Sequence, residues 1–156
     1  MKKLFITLLV ALSLIITSNA QDYKTSLGLR GGLPFGITVK HFLNEHNALE
    51  GILATRWSGF VVTGLYEFER WTGEYPGLNW YFGAGAHLGT WNQGYNPNIG
   101  ESYSGIVIGV DGVIGLEYTF DEIPLNLSLD LLPSLNLIGY TGWGGINGAL
   151  SIRYVF

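Results

Sequence analysis

The chain has 156 residues, with 23 glycines, no cysteine, 14% aromatic residues and only 13% charged residues. The lack of cysteine excludes disulfide bonds, thiolate metal sites and a lipid-modified N-terminal cysteine. Twelve acidic residues against eight basic ones give a formal net charge of −4, which argues against a nucleic-acid-binding or anionic-surface-binding protein.

The first twenty residues have the pattern of a secretory signal peptide. Lys2 and Lys3 precede the apolar run LFITLLVALSLII (4–16), and the segment ends on the small residue Ala20. The apolar run is short for a membrane-spanning helix. We therefore expect cleavage after Ala20 and export of a mature domain, 21–156, with an uncleaved anchor as the alternative. Without the two lysines, six basic residues face twelve acidic ones, a formal net charge of −6.

Eight segments of the mature domain alternate apolar and polar residues with a period of two, which predicts β-strands. Most are close to the roughly 9–11 residues that a tilted strand needs to cross a bilayer. The expected strands are 24–33, 36–44, 48–57, 60–70, 78–91, 105–120, 125–138 and 145–156. Segments rich in Gly, Pro, Asn and Asp separate them, and these residues favour turns. The pattern predicts a single all-β unit.

The alternation is clearest in the seventh segment, LNLSLDLLPSLNL (125–137). Its odd positions carry leucine and Pro133, while its even positions carry asparagine, serine and Asp130, interrupted only by Leu132. In the other strands most charged residues also occupy the positions that alternate with the bulky hydrophobic residues. This polar parity contains Arg30, Lys40, Glu50, Arg56, Glu67, Glu69, His87, Asp111, Glu117, Asp130 and Arg153.

Two architectures use such strands. A soluble sandwich or lipocalin-like barrel points its apolar face inward, whereas a transmembrane barrel points it to lipid and encloses the charges. The polar parity is rich in glycine and serine with sparse charges of both signs, unlike a solvent-facing surface. Aromatic residues near one rim suggest an interfacial girdle, and the last strand ends on an aromatic residue. The residues expected at this rim are Phe68, Trp80, Phe82, Tyr118, Phe120, Tyr154 and Phe156.

We therefore predict an eight-stranded antiparallel up-and-down transmembrane β-barrel, preceded by a cleaved signal peptide. A soluble lipocalin-like binder of small apolar ligands is the alternative, because both architectures use the same alternation.

The signal peptide, the eight alternating strands and the terminal SIRYVF (151–156) resemble small outer-membrane β-barrels of Gram-negative bacteria, of the OmpA/OmpX-like kind. The stretch GLRGGLPFGITVKHFLNEHNALEGIL (28–53) is similar to the first three strands of such domains. The resemblance implies an outer-membrane location, contact with outer-membrane lipids and a monomer. It also implies that the barrel-assembly machinery reads Tyr154 and Phe156 during biogenesis. It carries over no enzymatic signature and no cofactor.

An even number of strands places both chain termini in the periplasm. The segment 92–105 is then the only long connection on the outer side. Tyr95, Asn96 and Tyr103 in this segment, and Trp91 directly before it, are candidates for contact with an external partner, because loops often carry function. The expected periplasmic turns are 44–47, 71–77 and 121–124, and the expected outer connections are 33–36, 57–59, 92–105 and 139–145.

An eight-stranded barrel is just wide enough for side chains to fill its interior. Buried charges there need partners, so we expect the polar parity to form a network. The turns predict Lys40 opposite Glu50, and Glu50 opposite Glu67. The second pairing brings like charges together, so Arg30, Arg56 or a protonated carboxyl group should lie nearby. A structural polar core is the leading interpretation, and a narrow solute or ion path is the alternative.

His87 is the only histidine predicted inside the barrel, near Asp111. A His–Asp pair with a serine could form a hydrolase, as in lipid-modifying barrel enzymes. However, Ser128 and Ser151 lie on other strands, and we predict no catalytic residue. The leading function is thus a non-catalytic structural or envelope-interaction role, with a channel or a lipid-modifying enzyme as alternatives.

The other two histidines do not suggest a metal site. His41 falls on the outward parity near the periplasmic rim, and His46 falls in a turn. On a strand and its turn, the two rings would not converge on one ion. We therefore predict no metal-binding and no cofactor-binding residues.

Overall fold

The computed structural model describes residues 24–56, 59–96, 101–139 and 141–156. The expected signal peptide lies outside the described residues. Within the described ranges, no helix is long and apolar enough to cross a membrane. The strands are β1 (Thr25–Gly32), β2 (Phe35–Asn44), β3 (Asn47–Arg56), β4 (Gly59–Trp71), β5 (Leu78–Asn96), β6 (Glu101–Thr119), β7 (Leu125–Ile138) and β8 (Gly142–Val155).

The eight strands close into one barrel. Each strand pairs antiparallel with the next in sequence, and β1 pairs antiparallel with β8, from Ser26↔Val155 to Gly32↔Ala149. The prediction of an all-β, eight-stranded, up-and-down antiparallel barrel is confirmed. Strands β1 to β4 and β7 begin and end within one residue of the predicted bounds, because their turn residues mark the ends clearly.

The prediction of a long irregular loop over 92–105 is wrong in its bounds. Strand β5 continues to Asn96 and β6 begins at Glu101, and these two residues pair. The glycine- and asparagine-rich composition of this segment favours turns. Cross-strand hydrogen bonding within the long hairpin overrides that local preference, with an irregularity between Trp91 and Gly94.

The β5–β6 hairpin extends beyond the barrel wall. Strand β5 pairs with β4 only as far as Gly89, and β6 pairs with β7 only as far as Ile108. The seven residues of β5 after Gly89 correspond to about 23 Å of strand at 3.3 Å per residue. Residues 97–100, between the two strands, lie outside the described residues.

The barrel is polar inside and apolar outside. Its outward side chains are mostly large and hydrophobic: Leu29 is 63% exposed, Phe60 62% and Ile146 64%. Its inward side chains include charged residues with no exposure at all, such as Arg30 and Arg153. This is the reverse of a water-soluble protein, in which most charged residues lie on the surface and most large apolar residues lie inside.

Aromatic residues cluster on the outer surface at the end of the barrel that carries the chain termini. Phe68 pairs with Phe82 across β4 and β5, with ring centroids 5.4 Å apart. Trp80 stacks on Phe82 at the same centroid distance, and Tyr66 packs edge-on to Phe68 at 5.2 Å. The predicted rim residues on the other strands form two further ring pairs, Tyr118–Phe120 and Tyr154–Phe156.

Candidate functional site

Lys40 is the centre of a polar network in the half of the interior nearer the chain termini, here called the terminal half. Its Nζ lies 2.9 Å from Glu67 Oε2, 2.7 Å from Glu117 Oε2 and in contact with Glu69 Oε1. The ammonium group also lies 4.3 Å from the centroid of the Tyr81 ring, within cation–π range. One cation from β2 thus joins carboxylates from β4 and β6.

Arg153 links the same network to β3 and β7. Its guanidinium donates to Glu50 Oε1, to Ser128 Oγ at 2.9 Å and to Asn126 Oδ1 at 3.2 Å. Thr38 Oγ1 donates to the same oxygen of Glu50. Because charged hydrogen bonds are stronger than neutral ones, Arg153 holds three strands together from inside.

Arg30 and Asp130 form a second ion pair beside this network. The two Nη groups of Arg30 donate to the two carboxylate oxygens of Asp130, one of them at 2.8 Å. The Tyr81 hydroxyl donates to Asp130 Oδ2 at 3.0 Å. Gly115 makes room for this arrangement, since a Cβ there would lie 2.6 Å from the Tyr81 ring.

His87 belongs to a separate polar group nearer the other end of the barrel. Its Nδ1 lies 2.9 and 3.0 Å from the two carboxylate oxygens of Asp111, and its Nε2 lies 3.0 Å from Asn136 Oδ1. Ser134 is directly opposite Asp111 on the neighbouring strand. Both ring nitrogens of His87 face oxygens of Asp111 and Asn136, so the ring is not positioned to activate the Ser134 hydroxyl.

An apolar layer separates the two polar groups. On β6 the inward residue Val113 lies between Asp111 and Glu117, and on β7 Leu132 lies between Asp130 and Ser134. These side chains belong to one buried cluster with Ile52, Ala54, Val61, Leu65 and Tyr81. Tightly buried apolar side chains of this kind oppose the passage of water and ions.

Arg56 occupies a different position from the other predicted cations. It is half-buried at the end of β3, and its Nη2 donates to the carbonyl oxygen of Gly144 on β8 at 2.7 Å. This bond connects two strands across the mouth of the barrel. The structure therefore places ten of the eleven predicted network residues among the buried polar side chains, and Arg56 at the rim.

One predicted pairing is wrong. Lys40 pairs with Glu50 as expected, but Glu50 pairs with Leu65, and Glu67 pairs with Ala48. The register is shifted by two residues, because Arg56 pairs directly with Gly59, whereas Glu50 opposite Glu67 requires residue 57 to pair with residue 60. Glu50 and Glu67 are diagonal neighbours on the inner face, not directly opposite.

Several polar residues of the network are uncharged and were not predicted as members. The alternation of the sequence places them on the inward face, but it does not indicate which partner an uncharged polar side chain contacts. They are Thr38, Tyr81, Asn126, Ser128, Asn136 and Ser151.

The remaining candidates lie away from the interior. His41 is exposed, with its Nδ1 2.8 Å from Thr25 Oγ1, and His46 lies in the β2–β3 turn. Across the described ranges, no three His, Asp or Glu side chains are arranged to hold a metal ion. The backbone of the candidate surface residues Trp91, Tyr95, Asn96 and Tyr103 lies in the β5–β6 hairpin; their side chains lie outside the described part.

No model of a known protein family and no curated protein matches this chain. Chemically, the interior offers ion pairs and hydrogen bonds that are made almost entirely between its own side chains.

Proposed function

We propose that residues 21–156 form an integral outer-membrane β-barrel with a side-chain-filled polar interior, serving a structural or envelope-interaction role without catalysis. The observation that carries the proposal is the reversed distribution of polarity in a closed barrel. In water, such an exterior would form an apolar surface far larger than monomeric soluble proteins expose. In a bilayer, a closed barrel satisfies all its ladder hydrogen bonds and places its apolar side chains in lipid.

Further features support this proposal. The aromatic clusters near the chain termini match the belts that anchor barrels at a membrane–water interface. The pattern of residues 1–20 supports export. Tyr154 lies in the last strand and Phe156 directly after it, and both side chains are exposed. This position agrees with the recognition by the assembly machinery that the resemblance to OmpA/OmpX-like barrels implies.

The alternatives fit the geometry less well. A soluble lipocalin-like binder needs an apolar interior and a charged exterior, which is the opposite arrangement. A lipid-modifying enzyme with His87 as its base needs a free ring nitrogen beside a nucleophile. A channel needs a continuous polar path, and the layer containing Val113 and Leu132 interrupts it.

Cell fractionation tests the proposal. The full chain, expressed in a Gram-negative host, should be found in the outer-membrane fraction and should need detergent for extraction. On gels, the unheated protein should migrate differently from the boiled protein, because a folded barrel resists the detergent. Recovery from the periplasm as a soluble protein without detergent would refute the membrane assignment.

A further inference from the structure

The terminal half of the interior holds more negative than positive charge. Around Lys40 and Arg153 lie the carboxyl groups of Glu50, Glu67, Glu69 and Glu117, and all six side chains are at most 3% exposed. If all four were ionised, two cations would face four anions. Burial of uncompensated charge is strongly unfavourable, so this cluster requires further positive charge.

The contacts of Glu67 show where that charge is needed. Glu67 is fully buried, and apart from its ion pair with Lys40 its carboxyl oxygens find no hydrogen-bond donor among the described residues. Lys40 is also shared with two other glutamates. Glu67 is thus the least compensated carboxyl group of the cluster.

Glu50 is in the opposite situation. Its Oε1 accepts hydrogen bonds from Arg153 and Thr38, whereas its Oε2 accepts none from these groups. The two side chains, Glu50 and Glu67, are diagonal neighbours on the inner face, and apart from the ion pair with Lys40, Glu50 Oε2 and both Glu67 oxygens have no hydrogen-bond donor among the described residues. Two ionised carboxylates only accept hydrogen bonds, so a bond between them requires a proton on one.

We propose that Glu67 carries a proton at neutral pH and donates it to Glu50, so that the pair is a proton-binding site inside the barrel. Glu67 takes one proton from solvent, and the net charge of the six-residue cluster changes from −2 to −1. Glu50 remains the acceptor because Arg153 and Thr38 stabilise its ionised form. This inference concerns the interior only and does not depend on where the barrel is located.

Glu50 lies on β3 and Glu67 on β4, and groups from seven strands share the electrostatic environment of this pair. The titratable and charged ones are Arg30 on β1, Lys40 on β2, Glu69 on β4, Tyr81 on β5, Glu117 on β6, Asp130 on β7 and Arg153 on β8.

Infrared spectroscopy of the mature protein refolded in detergent micelles tests the site. At pH 7 exposed carboxyl groups are ionised, so the C=O stretching band of a protonated carboxyl reports buried protonated groups only. We expect this band in the wild type, its loss in Glu67→Gln and its retention in Glu122→Gln, a control in the exposed β6–β7 turn. Glutamine keeps a donor for Glu50, so Glu67→Gln should still fold.

Two results would overturn the assignment. A wild-type protein without the band would mean that the cluster is compensated by a bound cation. A band of equal intensity in Glu67→Gln would place the proton on another carboxyl group. Should Glu67→Gln fail to fold, unfolding the wild type in urea at pH 7 gives a second readout: the band must disappear on unfolding, because the exposed group then ionises.

Discussion

At the scale of single residues, this barrel is organised by charges that cannot reach water. Arg30 and Asp130 are both fully buried, and their side chains meet in a bidentate pair. Burial of either charge is tolerated only while the other is present, because a single buried charge keeps its desolvation penalty without the attraction of a partner. The pair therefore specifies how β1 and β7 face each other across the interior.

Replacing one member of this pair should be more harmful than replacing both. Arg30→Met leaves Asp130 with the Tyr81 hydroxyl and should lower the free energy of unfolding by about 3–5 kcal/mol. The double variant Arg30→Met/Asp130→Leu removes both charges and should recover most of this loss. Urea unfolding in detergent micelles, followed by tryptophan fluorescence, measures both. Additive losses in the double variant would show that the pair is not coupled.

Gly115 is a second residue whose role is set by its neighbours. A Cβ at this position would lie 2.6 Å from the Tyr81 ring and 2.8 Å from Asp130 Cβ. Gly115→Ala should therefore displace Tyr81 from Asp130 and lower the free energy of unfolding by about 1–3 kcal/mol, as overpacking does. Gly64→Ala is the control, because its Cβ would meet nothing within 4 Å. Equal effects of the two substitutions in the same unfolding assay would contradict this explanation.

The sequence predicts which residues face inward better than it predicts their partners. Alternation assigns a side to Lys40 from its own strand alone. Its contacts with Glu69 and Glu117, however, cross the interior from β2 to β4 and β6. Such contacts depend on how the closed barrel brings distant strands together, and on registers such as Glu50↔Leu65 that follow from the length of each turn.

At the scale of the strand, β7 shows how one element serves two environments. Most of its outward leucines are exposed, with Leu131 at 51%, while its inward residues are buried, with Asp130 at 2%. The segment LNLSLDLLPSLNL predicts this strand with its observed bounds, because apolar and polar residues alternate at every position except Leu132. By contrast, the extra length of β5 and β6 comes from their mutual pairing. The sequence does not predict it, because this segment is rich in residues that favour turns.

A substitution on the outward face of β7 can test whether this face lies in lipid or in water. In a soluble protein, an exposed leucine changed to arginine alters stability by roughly 0.5 kcal/mol or less. Near the middle of a membrane, the same change on a barrel exterior costs about 2–4 kcal/mol. We therefore expect Leu131→Arg to reduce the folded, heat-modifiable form of the protein in lipid vesicles.

The matched control for this experiment is Ile123→Arg. Ile123 is 48% exposed, much like Leu131, but it lies in the β6–β7 turn. This variant should fold as the wild type does. Equal folding of both variants would indicate that the exterior of β7 does not face lipid.

At the scale of the whole molecule, alternation alone does not determine whether the outside of the barrel faces water or lipid. The same period-two pattern builds a barrel with its apolar face inside or outside. Closure into eight strands limits the interior to a space that side chains can fill, and the large inward residues Arg30, Lys40, Tyr81 and Arg153 fill it. Most leucine, isoleucine and aromatic side chains of the described residues are then left outside.

This filled interior predicts that the protein does not conduct ions. The network around Lys40 is tied to the strands by ion pairs, and the group around His87 is separated from it by Val113, Leu132 and the apolar side chains that contact them. An ion crossing the barrel would have to break the ion pairs around Lys40 and lose its hydration shell at the apolar side chains. The refolded mature protein should therefore leave a planar lipid bilayer silent at moderate voltage, while protease protection confirms insertion. Steady, ion-selective current steps would show instead that the polar groups form a continuous path, and Lys40→Met should then change their selectivity.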